Sequence, residues 1–145
     1  MITITFDCDP SLIAPNQECV QLLIEDILAE KGIEHAQLSY IFCNDVYLSR
    51  LKKKFFKKNH LTDVIAFRLN SYEEKKVEGE VYISLQRAKE NAKKYKEPYK
   101  REVGRLIIHG CLHLLGYLDE TKKQKQIMDN LENVFLDKML WAKLF

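Results

Sequence analysis

Apolar residues recur along the chain with two periods, and each switch between them marks the boundary of an element. Ile2, Ile4 and Phe6 alternate with Thr3 and Thr5, which predicts a strand. Pro10 and Pro15 punctuate a loop, and Asn16 is placed to cap a helix carrying Cys19, Val20, Leu22, Leu23, Ile24, Ile27 and Leu28, ended near Gly32. Leu38–Cys43 reads as a second strand, and Asn44 as the cap of a short helix bearing Val46, Leu48 and Leu51. Val64–Phe67 and Gly79–Ile83 read as two further strands, with Ser71–Glu78 as a polar turn or loop between them. Ser84 caps a Lys- and Glu-rich helix from Leu85 to about Tyr95, and after Pro98 an apolar helix runs from about Tyr99 to Leu115. Thr121 with Gln124 is a capping-box signal for a last helix whose apolar positions are Ile127, Met128, Leu131, Val134, Phe135 and Leu136. The order β-α-β-α-β-β-α-α-α, with no repeat and no linker, predicts one α+β domain over residues 1–145. Its core would be a small mixed four-stranded sheet packed with about five helices.

Composition narrows the class. Hydrophobic content of 46% and charged content of 30% suit a soluble globular protein, and no apolar run reaches the ~18–20 residues that span a bilayer. The first residues lack a basic start, so they read as a strand rather than a signal peptide. Cys8, Cys19, Cys43 and Cys111 form no C-x-x-C pair, which suits free thiols and a cytoplasmic location. Net charge is only +2, but Lys is clustered. Lys52–Lys58 interleaves five Lys with Phe55 and Phe56, and Lys93, Lys94, Lys96, Lys100 and Arg101 flank Tyr95 and Tyr99. Cations with aromatic faces suit single-stranded nucleic acid; the plainer alternative is solvated helix faces.

The candidate chemistry lies in the apolar helix. His109 and His113 are four apart, so they stand one above the other on one helix face, close enough for both imidazoles to meet one ion. Gly116 is placed to turn the chain, and Asp119 follows three residues later. The pattern H-x-x-x-H-x-x-G-x-x-D matches the zincin-like spacing of metzincin proteases, with two changes. Gly110 stands where those proteases carry their Glu base, and the third ligand is a carboxylate. Three protein ligands leave a fourth position open, the catalytic arrangement. This favours a metal over a pair of core histidines with Asp119 as a mere cap. Glu120 is the neighbouring carboxylate, but Asp119 holds the motif offset. Cys111 points off another face and reads as packing. His35 reads as an exposed loop residue, and His60 as a surface turn or a neighbour of the site. Asp63 and Glu80 are open to two readings, as partners for a metal-bound His or as turn and edge residues.

These motifs resemble the YbeY family, the bacterial metal-dependent endoribonucleases of ribosomal RNA maturation. Its pattern H-G-x-L-H-L-x-G-Y-D-H appears as His109 to Tyr117 and then diverges, with Asp119 at the usual third His and Leu118 at the preceding Asp. Its T-D-V-x-x-F is Thr62–Phe67, its G-[DE]-[IV]-x-I-S is Gly79–Ser84, and Met128 and Glu132 hold its M-x-x-x-E. A basic residue usual upstream of T-D-V falls on Phe56, with Lys57 or Lys58 as possible suppliers of that charge.

The resemblance implies one zinc ion held by His109, His113 and Asp119. It also implies cleavage of single-stranded RNA in 16S rRNA 3′-end maturation, a role in ribosome quality control, and ribosomal partners. No general acid or base stands out beyond the water the ion would carry; Lys57, Lys58 and Glu80 are candidate helpers, and Lys57 and Lys58 candidate substrate contacts. Two alternatives are a metallopeptidase or amidase, which Gly110 disfavours, and a non-catalytic ribosome-assembly factor with a structural metal.

Overall fold

The computed structural model describes residues 1–56 and 63–145. Along them run β1 (Ile2–Cys8), α1 (Gln17–Glu30), β2 (Ala36–Cys43), α2 (Asp45–Phe56), β3 (Val64–Arg68), β4 (Val77–Ser84), α3 (Leu85–Tyr95), α4 (Tyr99–Leu114) and α5 (Lys122–Lys138), then a 3-10 turn at Trp141–Lys143. The predicted order holds throughout. Lys57, Lys58, His60 and Thr62 lie outside the described residues.

The helix starts are written in single side chains. Asn16 accepts a hydrogen bond from the Cys19 N–H, Asn44 from Tyr47 and Ser84 from Arg87, each satisfying a donor that the first helical turn leaves open. Thr121 and Gln124 form the reciprocal capping box at α5. Two strands start earlier than expected, β2 at Ala36 rather than Leu38 and β4 at Val77 rather than Gly79, because Ala36 and Val77 are buried and pair with each other.

The strands form one mixed sheet in the order β1-β2-β4-β3. β1 and β2 are parallel, as are β2 and β4, while β3 returns antiparallel to β4. The fold is thus α+β, as expected. Val77, Gly79, Val81 and Ile83 face a core shared with α4, and the alternate residues Glu78, Glu80 and Tyr82 face the other side.

Helix α4 is the centre of the packing. Val103, Leu106, Ile107, Ile108, Cys111, Leu112 and Leu114 are all buried, and the Tyr40 hydroxyl donates to the Ile107 carbonyl. The helix lies so close to β4 that a Cβ on Gly110 would come within 2.5 Å of a Val81 methyl. Position 110 therefore points into the sheet, with no room for a side chain. Helix α5 covers the helix's other flank with Met128, Glu132, Phe135 and Leu136. The predicted stripe is rotated: Ile127 and Val134 are 43% and 46% exposed, and an acid, Glu132, is turned inward. No helix among the described residues is long and apolar enough to cross a membrane.

Candidate metal centre

The last turn of α4 brings His109 and His113 together, with ring centroids 4.5 Å apart and Nε2 atoms 2.9 Å apart. The helix ends in a Schellman arrangement. The Gly116 N–H donates to the His113 carbonyl, the Tyr117 N–H donates to Leu112, and Gly116 takes φ +98°, which favours glycine. This reversal turns the following segment back over the histidines. Asp119 Oδ2 then stands 3.4 Å from His109 Nε2 and 3.5 Å from His113 Nε2. Among the described residues these three side chains are the group of His, Cys, Asp or Glu whose donor atoms converge in this way. Glu120 is exposed, and its backbone N–H donates to Gln124, so the capping of α5 sends it away from the cluster.

The donor set fits a zinc-sized cation. Ligand atoms about 2.0–2.2 Å from a tetrahedral ion stand about 3.3 Å from one another. The three edges here, 2.9, 3.4 and 3.5 Å, bracket that spacing. Two imidazoles and one carboxylate are also the donor chemistry that borderline divalent metals prefer.

Behind the triangle lies a polar network of which the sequence names Asp63, as a candidate partner, and Glu132, as a motif residue, but neither Arg105, Glu102 and Asn91 nor the contact of Glu132 with His109. His109 Nδ1 meets Glu132 Oε2 at 2.5 Å, and the other oxygen of Glu132 accepts from Arg105 Nη1 at 3.2 Å. Glu102 grips the same guanidinium twice, at 2.8 and 2.6 Å. Asn91, on α3, donates to both Glu102 and Asp63, and Asp63 stands 4.0 Å from Arg105. Glu132 and Glu102 are 2% and 5% exposed, so each is a buried charge with its partners in place. One signal could have found them. Arg105 precedes His109 by four residues, so Arg105, His109 and His113 form one stripe on α4, and Glu132 interrupts the apolar positions of α5.

Charge separates the two histidines. Burial alone would pull His109 down, but the Glu132 carboxylate, with Asp119 and Asp63, raises it above its ordinary value. Burial and the neighbouring His109 lower His113, against the pull of Asp119 and the Tyr117 backbone. Burial also acts to lower Arg105, yet Glu102 and Glu132 more than offset it and hold the guanidinium cationic.

The other sequence candidates lie elsewhere. Glu80 is in mid-strand on the far face of the sheet, in a hollow with Thr5, Asp7, Ser39, Tyr47 and Tyr82, so the sheet separates it from His109. Asp63 does join the network, through Asn91 and Arg105 rather than by touching a histidine. Cys111 is fully buried, and burial pushes its thiol up to about 12. His35 is exposed, beside the N-terminal amine.

An α+β fold that brings two histidines and an acid together just past one helix end carries the donor set of a candidate metal site. The comparisons narrow the class. A family model described as Endoribonuclease YbeY matches residues 9–140. A protein named Endoribonuclease YbeY from Karelsulcia muelleri is 41% identical over 100 residues, 69% of this chain and 70% of that one. Another of that name from Amoebophilus asiaticus is 34% identical over 122 residues, 84% of this chain and 82% of that one. The solution structure of TM1509 from Thermotoga maritima superposes with a TM-score of 0.64 at 22% identity, covering 94% of this chain and 88% of that one, a likeness of fold. The chain belongs to the YbeY family.

Proposed function

We propose that this protein is a metal-dependent endoribonuclease specific for single-stranded RNA. In this reading residues 1–145 form one hydrolase domain, acting in the cytoplasm on precursor small-subunit rRNA in 16S 3′-end maturation and ribosome quality control. The family and the names of its relatives support the reaction class. The observation that carries the metal dependence is the triangle of His109 Nε2, His113 Nε2 and Asp119 Oδ2.

These three residues would hold one divalent cation, with zinc best suited to the donors. Such an ion, when bound, supplies a Lewis acid and lowers the pKa of water it carries. Asp119 brings one negative charge where a third imidazole would bring none, so it leaves the site less positive and favours harder metals. The chain's other residues bind and orient. Lys52, Lys53 and Lys54 on α2 and Lys93 and Lys94 on α3 are cations of two helices that pack together, and in this reading they would meet the phosphate backbone. Phe55, 55% exposed, offers a ring face for a base. Lys57 and Lys58 continue the basic run in sequence. A peptidase reading loses ground because position 110, where a protease base would stand, faces Val81.

The test pairs metal analysis with cleavage of a 3′-extended small-subunit rRNA fragment, wild type beside His113→Ala. The proposal expects about one zinc per wild-type chain and cleavage lost in the variant with RNA binding kept. A variant that unfolds while the metal-loaded wild type cuts no RNA would support the structural-metal alternative. Peptide turnover without RNA cleavage would support the peptidase.

A further inference from the structure

We infer that Arg105 is a positioning residue for the candidate metal centre, acting through Glu132 to hold the His109 ring with Nδ1 protonated and Nε2 turned toward His113 and Asp119. The inference rests on the metal-site reading proposed above. It starts from the two oxygens of one buried carboxylate. Oε2 of Glu132 stands 2.5 Å from His109 Nδ1, where a carboxylate can only accept the N–H, and Oε1 accepts a hydrogen bond from Arg105 Nη1. The carboxylate cannot rotate toward either partner without losing the other.

Arg105 is itself fixed. Glu102, one turn earlier on α4, closes a two-pronged pair on Nε and Nη2, leaving Nη1 aimed at Glu132. Asn91 in turn holds Glu102 and Asp63, so α3 and the segment before β3 brace the clamp. Three carboxylates thus converge on one guanidinium: Glu102, Glu132 and Asp63. A lysine there could not reproduce the planar fork, because its ammonium is a point charge on a flexible stem.

The consequence falls on His109. An imidazole that donates from Nδ1 presents a lone pair at Nε2, the atom that faces His113 and Asp119. Partners of this kind fix ligand orientation, and their loss typically weakens metal binding about 10- to 100-fold. Arg105 lies outside the motifs that carry the family resemblance and touches none of the three donor atoms. A clamp that merely ties α4 to α5 would leave the ring's tautomer and the metal's surroundings unchanged when altered. A positioning residue would not.

The experiment uses the full chain loaded with Co²⁺ or Zn²⁺, comparing wild type with Glu132→Gln, Arg105→Lys and Arg105→Met. An amide offers one acceptor where the carboxylate offers two, so Glu132→Gln cannot serve both His109 and Arg105. The expected results are Co²⁺ affinity about 10- to 100-fold weaker in Glu132→Gln and Arg105→Met, an altered Co²⁺ absorption band, and partial recovery in Arg105→Lys. Folding is checked by circular dichroism. Nitrogen-detected NMR of Zn²⁺-loaded wild type should show the His109 proton on Nδ1, a readout that does not depend on any variant folding. A proton on Nε2 in wild type, or folded variants that bind Co²⁺ as wild type does with the same band, would overturn the inference while leaving the metal site standing. A wild-type protein that takes up neither ion would overturn both.

Discussion

Asp119 is the member of the triangle whose replacement separates ligation from packing most cleanly, because it sits on a loop and carries no part of the core. Asp119→Ala is expected to lower zinc affinity by at least about 100-fold, beyond what an outer partner contributes, with little change in the metal-free melting temperature. Metal analysis after dialysis against a weak chelator reads the first, and thermal unfolding the second. Asp119→His, which puts an imidazole in place of the carboxylate, should retain zinc. A second residue-scale prediction concerns the buried thiols. Burial raises Cys43 and Cys111 from 9.0 to about 12. A group raised on folding contributes fully below its unfolded value and loses that contribution as pH climbs toward the folded one. Stability should therefore hold up to about pH 9 and then fall, by up to about 1.4 kcal/mol per pH unit for each thiol. Cys111→Ala should flatten part of that slope in denaturant melts. In the folded protein near pH 8, alkylation should reach the partly exposed Cys8 and Cys19 first and leave Cys43 and Cys111 intact.

At the scale of elements, the close approach of α4 to β4 decides where the histidines lie. Gly110→Ala sets a new Cβ against Val81 at 2.5 Å, and a branched side chain in a strand has little freedom to move aside. Overpacking of this kind costs about 1–3 kcal/mol, and the melting temperature should drop by several degrees. Because the helix must lift, metal affinity should fall with it although no donor has changed. Thr121→Ala makes a useful contrast. It removes the capping box of α5 at a cost of about 1 kcal/mol, but the ring contacts of α4 stay in place, so zinc affinity should change far less than stability. Much at this scale was legible in advance. Asn16, Asn44, Ser84 and Thr121 each announce a helix start because a short polar side chain satisfies open N–H groups locally. The orientation of α5 was not. Its apolar residues permit more than one buried stripe, and only packing against α4 selects the one that turns Glu132 inward.

For the molecule as a whole, the expected signature is electrostatic. The net charge of +2 is too small to drive binding, so RNA affinity should follow the clustered lysines. Replacing Lys52, Lys53 and Lys54 together by Ala should weaken binding of a single-stranded oligonucleotide and make the slope of log affinity against log salt shallower, by about 0.7 for each phosphate that is no longer neutralised. Unchanged slope in a folded variant would remove α2 from the RNA surface. What this sequence determined by itself is whatever depends on neighbours along the chain. That includes the element order, the caps, the spacing that stacks His109 over His113, and the glycine that lets the chain reverse before Asp119. Each is fixed by backbone geometry within a few residues. What only the tertiary structure decided depends on residues brought together from far apart. Gly110 turns out to be the point where α4 meets Val81, Glu80 is screened from the histidines by the sheet, and Glu132 reaches His109 across 23 positions with Arg105 beside it. A buried charge is stable only beside its partners, and no local pattern states which partners the fold will supply.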